Sequence, residues 1–434
     1  MNLLNGLPLM SEEAQSWIQS LAGERVSDET LRALQLPWQN RNQKLESDGT
    51  SYTCSELPNR LLVEQYASKY CSSFECLVFP VVKAQVPRIL HESTAEGLQA
   101  LVILIQYHYF IGDLPSAEAL VAAASRLVYA LEAHIQPGPP VYRKSIPECH
   151  LRDLFWLCYS FDRDMALRTG HPPTINDEHC DLTLPMGYEE RQNSNILSDD
   201  IEINESTLPL YPWDPRLSRI KYSTYNGLYS VRARRKSQPE ILEYIRALDE
   251  ALEQWRQSLH PDFRPTLSFS PETPINARIN TQAVMLRLAY YHCVAMIHRA
   301  VVHCRELPES PHSRSGRVES SISLCVDASR STLTYLRKAL PVVEDECFWV
   351  VLFYPITAIM VMFSSVLEDP LNSSITHDLD ILGEVPALIR QTPIREFTIA
   401  EMIHLESLAD LTAELAKLGR LAQDKACSSM ESLN

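Results

Sequence analysis

Between residues 151 and 165 apolar side chains recur every three or four positions: Leu151, Leu154, Phe155, Cys158, Phe161 and Met165. That spacing predicts a helix with one apolar face. Gly170 is predicted to stop it, because glycine enters the left-handed conformation without steric cost. Pro172 and Pro173 behind it lack the N–H that continuation would need, so the chain should then run extended. A second stripe, Ile241, Tyr244, Ile245, Leu248, Leu252, Trp255 and Leu259, predicts a core-facing helix ended by Pro261.

The same reading places short helices between Ser11 and Gly23 and from Ser27 to just before Pro37. Longer ones are predicted near residues 276–305, 320–339, 347–367, 378–390 and 399–421. Polar residues 39–51, prolines 137, 139, 140 and 147, the acidic stretch 187–215 and the Ser- and Pro-rich stretch 306–315 read as breaks, with 187–215 expected to be a mobile surface excursion. No strand-period segment of useful length and no fixed-period repeat is found. The expected class is all-α: a large single helical domain of packed antiparallel helices. Its expected divisions are an N-terminal lead-in at 1–56, the main domain at 57–425 and a disordered tail at 426–434.

Composition sharpens this picture. The 434 residues are 45% hydrophobic, enough for a substantial core, and only 12 are glycine, which disfavours the glycine-dependent turns of nucleotide-binding α/β folds. A net charge of −16 works against phosphate-backbone binding, since non-specific nucleic-acid affinity comes from lysine and arginine releasing counterions. The chain by itself is not expected to grip DNA. Eleven cysteines form no tight framework and the first residues carry no basic, apolar leader, so a reducing compartment is expected. Residues 347–367 carry no charge and are long enough for a membrane span, but acidic flanks (Glu344, Asp345, Glu346, Glu368, Asp369) favour a buried helix.

Candidate chemistry is sparse. The closest cysteine pair, Cys71 and Cys76, lacks C-x-x-C spacing, and His298, His303 and Cys304 lack the i, i+4 histidines that bring two imidazoles to one metal. No G-x-S-x-G, phosphate-binding glycine loop or H-E-x-x-H occurs. The expectation is no enzyme, no catalytic residue and no cofactor. Asp162 and Arg163 sit beside an apolar face where unpaired charge is costly, and read as ion pairs that fix packing before a ligand site. Arg232, Arg234, Arg235 and Lys236 form a basic run, either a solvated helix end or a nuclear-import signal.

Residues 151–185 resemble the signature of the middle homology region of fungal zinc-cluster transcription factors, an all-helical regulatory domain. Arg152, Leu154, Phe155 and Trp156 match its R-x-L-F-W block; Tyr159, Asp162 and Arg163 match Y-x-x-D-R; Gly170, Pro172 and Pro173 match G-R-P-P; Asp181, Leu184 and Pro185 match D-x-P-L-P. His171 stands where the pattern has arginine, and Thr183 where it has proline. Residues 57–82, 104–131, 248–261 and 288–302 are similar to other helices of the family, so the resemblance covers roughly 57–370. It implies a nuclear regulator of a specialised-metabolite or nutrient gene set, whose helical domain restrains or licenses activation. No zinc cluster is found, so zinc is expected only if such a module lies upstream of this sequence; otherwise DNA contact is borrowed from a protein partner, an intact transcription factor, a co-regulator or a second copy. A small-molecule effector is the alternative role, and a metabolic enzyme the remaining one.

Overall fold

The computed structural model describes residues 2–4, 7–9, 11–33, 86–110, 112–136, 146–185, 187–197, 214–275, 280–301, 316–343, 348–390 and 399–431. A two-strand antiparallel hairpin, β1 (Asn2–Leu4) and β2 (Leu7–Leu9), comes first. Strands were not expected; each is three residues long, too short for alternation to register. The rest is helical: α1 (Glu12–Ala22), α2 (Asp28–Ala33), α3 (Ala95–Phe110), α4 (Leu114–Ala130), α5 (Ile146–Thr169), α6 (Tyr188–Leu197), α7 (Pro215–Thr224), α8 (Gln238–Ser258), α9 (Thr281–Arg299), α10 (Gly316–Ala339), α11 (Phe348–Glu368), α12 (Ile375–Arg390) and α13 (Ile399–Glu431).

Local chemistry explains many of the ends. Ser11 caps α1, its hydroxyl accepting from the Ala14 N–H at 3.2 Å, and Gly23 closes the helix at φ 85°. Ser237 and Glu240 form a capping box that opens α8. Asn280 caps α9, so that helix starts at Thr281, a few residues later than its apolar pattern suggested. Pro147 sits in the first turn of α5 and does not interrupt it, since the N–H it lacks has no partner there anyway.

Two hydrophobic cores result. The larger joins α3, α4, α5, α7, α8, α9, α10 and, from α11, Val350, Val351, Phe353, Tyr354 and Val361. The smaller joins α1, the rest of α11, α12 and α13. α11 bridges them. Residues Val350–Glu368 are long and apolar enough to cross a membrane, yet 89% of that stretch is buried among other helices of the fold. Pro355 lies inside α11 and cannot donate to the carbonyl four residues back; close by, the Val350 carbonyl accepts from Arg168 Nη1 at 3.1 Å.

Two expectations about the chain's ends and breaks need correction. The tail at 426–434 was expected to be disordered, but α13 runs on through Glu431, because Lys425, Cys427, Met430 and their neighbours contain no glycine or proline to stop a helix already nucleated upstream. The stretch 187–215 is not one excursion: α6 occupies its start, and Asp214 and Pro215 at its end cap and open α7. Within the lead-in, Ile18, Ala22 and Val26 are buried in the second core. The expected helix at 57–82, the pair Cys71 and Cys76, the breaks at 39–51 and 306–315, and His303 and Cys304 lie outside the described residues.

The signature helix α5 is more deeply set than a one-sided stripe implies. Leu154, Phe155, Trp156, Cys158 and Tyr159 are buried, as is every residue from Ser160 to Arg168. Trp156 is 0% exposed and packs edge-on to Phe155 and Tyr159. Trp156→Ala is expected to cost about 3 to 5 kcal/mol, read as a lower denaturant midpoint at unchanged slope; a near-neutral result would place that side chain in solvent.

Candidate functional site

α5 ends at Gly170, whose φ of 77° needs no Cβ, and the chain doubles back along the helix. Asp162 holds the returning strand. Its Oδ1 accepts from both the N–H and the hydroxyl of Thr174, each at 2.8 Å, and its Oδ2 accepts from the Ile175 N–H at 3.1 Å and from Arg163 Nη1 at 2.6 Å. Arg163, fully buried, also donates to Asp177 Oδ1 at 2.8 Å, and Tyr159 donates to the same oxygen at 3.0 Å. The guanidinium lies 4.3 Å from the ring centres of Tyr159 and of Tyr222 on α7. Burial opposes its charge, but Asp162, Tyr159 and Asp177 hold its proton more firmly than usual. Asp162 and Arg163 therefore clamp α5 to the segment that follows it, with α7 as a lid.

Arg152 does the same at the other end of the helix. It donates to the carbonyls of Ala133 (3.3 Å), His134 (3.0 Å), Asp181 and Thr183 (3.4 Å), while its guanidinium covers Phe155 and Trp156. The Asp181 N–H donates to the His134 carbonyl at 2.9 Å. The four motif blocks thus fold onto one another. Leu154, Phe155 and Trp156 supply the buried face, Gly170 the reversal, and Pro172 and Pro173 the extended return, Pro172 lying exposed. Leu184 and Pro185 are half-buried at its far end. His171 bonds the Glu118 carboxylate at 3.0 Å. Beside it lies a half-open cavity of about 130 Å³, lined by Glu118, Val121, Asp162, Met165, His171 and Thr174 among others.

One polar centre has no counterpart in the motif reading. The Asp164 carboxylate accepts from Tyr109 of α3, from Arg168 Nε at 2.5 Å and from Lys221 of α7. Asp164, Arg168 and Lys221 are each at most 5% exposed. Burial alone would raise the Asp164 carboxyl, but Arg168 and Lys221 outweigh it and hold it well below the usual range. Conversely, burial works against the Lys221 ammonium, and Asp164 keeps it protonated. Arg168 also stacks on Phe353 (4.3 Å) and Tyr354 (4.7 Å) of α11. His292 of α9 packs edge-on to the same two rings; burial first, then Arg168 and Lys221, push its imidazole down to about 3. The i, i+4 spacing of Asp164 and Arg168 was visible in sequence, but nothing local signals Lys221, which comes from a helix beyond a long connection.

The basic run sits apart from both centres. Arg232, Arg234 and Arg235 are exposed around a 3₁₀ turn pinned by buried Ala233, whereas Lys236 is tied down: it donates to the Gly227 carbonyl at 2.9 Å and lies over the Tyr244 ring. Among the described residues no group of three histidine, cysteine or acidic side chains is placed to hold a metal ion. Burial pushes the thiols of Cys158, Cys293 and Cys325 up to about 12, so they stay protonated and unreactive at neutral pH.

His292 provides a pH test. A group whose folded pKa lies near 3 against 6.5 unfolded destabilises the fold as pH falls through that window, because only the unfolded chain takes up the proton. As pH falls below 6.5 the loss of unfolding free energy steepens, and by pH 5 it approaches about 1.4 kcal/mol per pH unit from this residue alone. His292→Phe should flatten that slope; an unchanged slope in denaturant titrations would assign the acid sensitivity elsewhere.

Residues 63–257 match the family described as fungal specific transcription factor domain. An ABC-transporter-regulating transcription factor of Aspergillus fumigatus is 27% identical over 78% of this chain and 38% of its own length. The fusaridione A cluster transcription factor of Fusarium heterosporum is 25% identical over 68% of this chain and 54% of its own. A transcriptional regulatory protein of Schizosaccharomyces pombe, uncharacterised, is 22% identical over 63% of this chain and 34% of its own. The chain therefore spans about two fifths of the first curated relatives it matches. No solved structure matches it significantly. Clamp, glycine reversal and returning segment all fall within residues 63–257, the stretch that is similar to the fungal specific transcription factor domain.

Proposed function

We propose that the chain is a nuclear regulator of transcription that controls a metabolic or transport gene set through its helical domain. The observation that carries this reading is the family match over residues 63–257 together with relatives, aligned over up to 78% of the chain, that are named as transcription factors. The physical chemistry is consistent with it. A body of net charge −16 repels the DNA backbone, so this part of the protein acts on other proteins and leaves DNA contact to another module or to a partner, an intact transcription factor, a co-regulator or a second copy. The exposed guanidiniums of Arg232, Arg234 and Arg235 offer a surface for import, although Lys236 is held back by Gly227 and Tyr244.

A small-molecule effector is a second reading, favoured by the cavity of about 130 Å³ that abuts Asp162. Glu118, Asp162 and His171 line it, so a ligand there would be polar, and one bound here would press on the clamp directly. The principal test is chromatin occupancy of the tagged full chain in its native cells. Discrete promoter occupancy is expected, while the purified 434-residue chain should not shift duplex DNA at physiological salt. Uniform background across the genome would remove the regulatory reading.

A further inference from the structure

The sequence contains one pair of adjacent arginines, Arg234 and Arg235, and a serine stands two residues beyond it, Ser237. Arg232, Arg234 and Arg235 are exposed and, among the described residues, none of them forms an ion pair. Elsewhere in this chain of net charge −16, Arg163, Arg216, Arg330 and Arg390 each hold a carboxylate. Three neighbouring guanidiniums therefore remain open to a partner of acidic chemistry.

Ser237 belongs to the same surface. Lys236 (φ −73°, ψ 145°) and Ser237 (φ −70°, ψ 158°) run extended between the 3₁₀ turn Ala233–Arg235 and the first turn of α8. Ser237 is exposed, and its hydroxyl donates to Glu240 Oε2 at 2.6 Å, as its N–H does at 2.7 Å. An arginine-directed protein kinase needs this arrangement: acidic side chains in its substrate groove pair the guanidiniums and bring the hydroxyl to the γ-phosphate of ATP. Recognition of residues 234–238 leaves buried Ala233 in place. It opens only the exposed turn, where the Arg235 N–H donates to the Arg232 carbonyl at 3.1 Å and the Lys236 N–H to the Ala233 carbonyl at 3.0 Å.

We propose that Ser237 is a phosphorylation site and that its phosphate closes the arginine run to an acidic import receptor. In the transfer, Ser237 Oγ bonds the γ-phosphorus of magnesium-bound ATP, the bond from that phosphorus to the β–γ bridging oxygen breaks to leave ADP, and the hydroxyl proton passes to a carboxylate of the kinase. The product carries about −1.5 to −2 charge beside the free arginines. It can no longer donate to Glu240, which it repels, but it stays at the N-terminus of α8, where the helix dipole favours an anion. α8 therefore stays folded and the surface charge changes. A receptor that binds through an acidic groove then meets phosphate instead of an unopposed arginine surface. The proposal rests on the reading of the chain as a nuclear regulator.

The test uses the purified 434-residue chain, magnesium ATP and the catalytic subunit of an arginine-directed kinase. Mass spectrometry should find phosphate on Ser237, and Arg234→Gln with Arg235→Gln should slow its incorporation about tenfold. Ser237→Asn keeps an N-cap oxygen while removing the acceptor, so it should fold and take up no phosphate there. The import adaptor should bind the phosphorylated chain about tenfold more weakly than the unmodified one, and kinase treatment should leave its affinity for Ser237→Asn unchanged. In the native cells phosphate should be present on Ser237, and tagged Ser237→Asp should be less nuclear than Ser237→Asn. Ser237 left bare by the kinase or in cells overturns the proposal. So does equal adaptor binding by both forms, binding by neither, or equal nuclear fractions of the two variants. Failure of the regulatory reading itself would appear separately, as absent promoter occupancy of a chain that still enters the nucleus.

Discussion

Five charged side chains, Arg152, Asp162, Arg163, Asp164 and Arg168, lie on one helix and are each no more than 5% exposed. A buried charge without a partner destabilises a fold by several kcal/mol, so each of these dictates where some other part of the chain must be. Arg152 gathers the 133–134 turn and residues 181–183. Asp162 and Arg163 recruit Thr174, Ile175, Asp177 and Tyr222. Asp164 and Arg168 require Lys221, Tyr109 and the Val350 carbonyl. Most of the helices that surround α5 are thereby specified by polar geometry as well as by apolar contact.

That arrangement has a directional consequence. Charge pairing concentrates in the larger core, around α5, while the smaller core is built from aliphatic contacts between α11, α12 and α13, with Arg330 reaching from α10 to Asp378 of α12 at 2.5 Å as its main buried ion pair. α11 runs through both, and Arg168 contacts it through two aromatic rings and a backbone carbonyl. Arg168 thus ties α5 to α11, which also packs against α1.

The motif residues read from sequence all lie in one contiguous structure, but the reason for their types emerges only in three dimensions. Arginine at 163 is explained by two bidentate-capable partners and two flanking rings, which lysine would not satisfy equally. Gly170 is explained by its positive φ. The expected ion pairs at Asp162 and Arg163 are present, although they bind the helix to its own continuation more than to neighbouring helices. The substitution of His171 for arginine keeps a bond to Glu118.

Apolar periodicity and helix punctuation are local properties, and they determined what could be read without coordinates: a predominantly helical fold, caps at Ser11 and Gly23, the stop at Gly170, and a charge-free helix that belongs inside the protein. Tertiary structure alone decided which helices meet. It brought Lys221 and Tyr109 to Asp164, made the lead-in a cover for α13, carried α13 through the supposed tail and divided the apolar residues into two cores. The physical reason is that propensity and capping act within a turn or two of a helix, whereas the partner of a buried charge is chosen by the packing of the whole chain, across separations at which sequence carries no periodic signal.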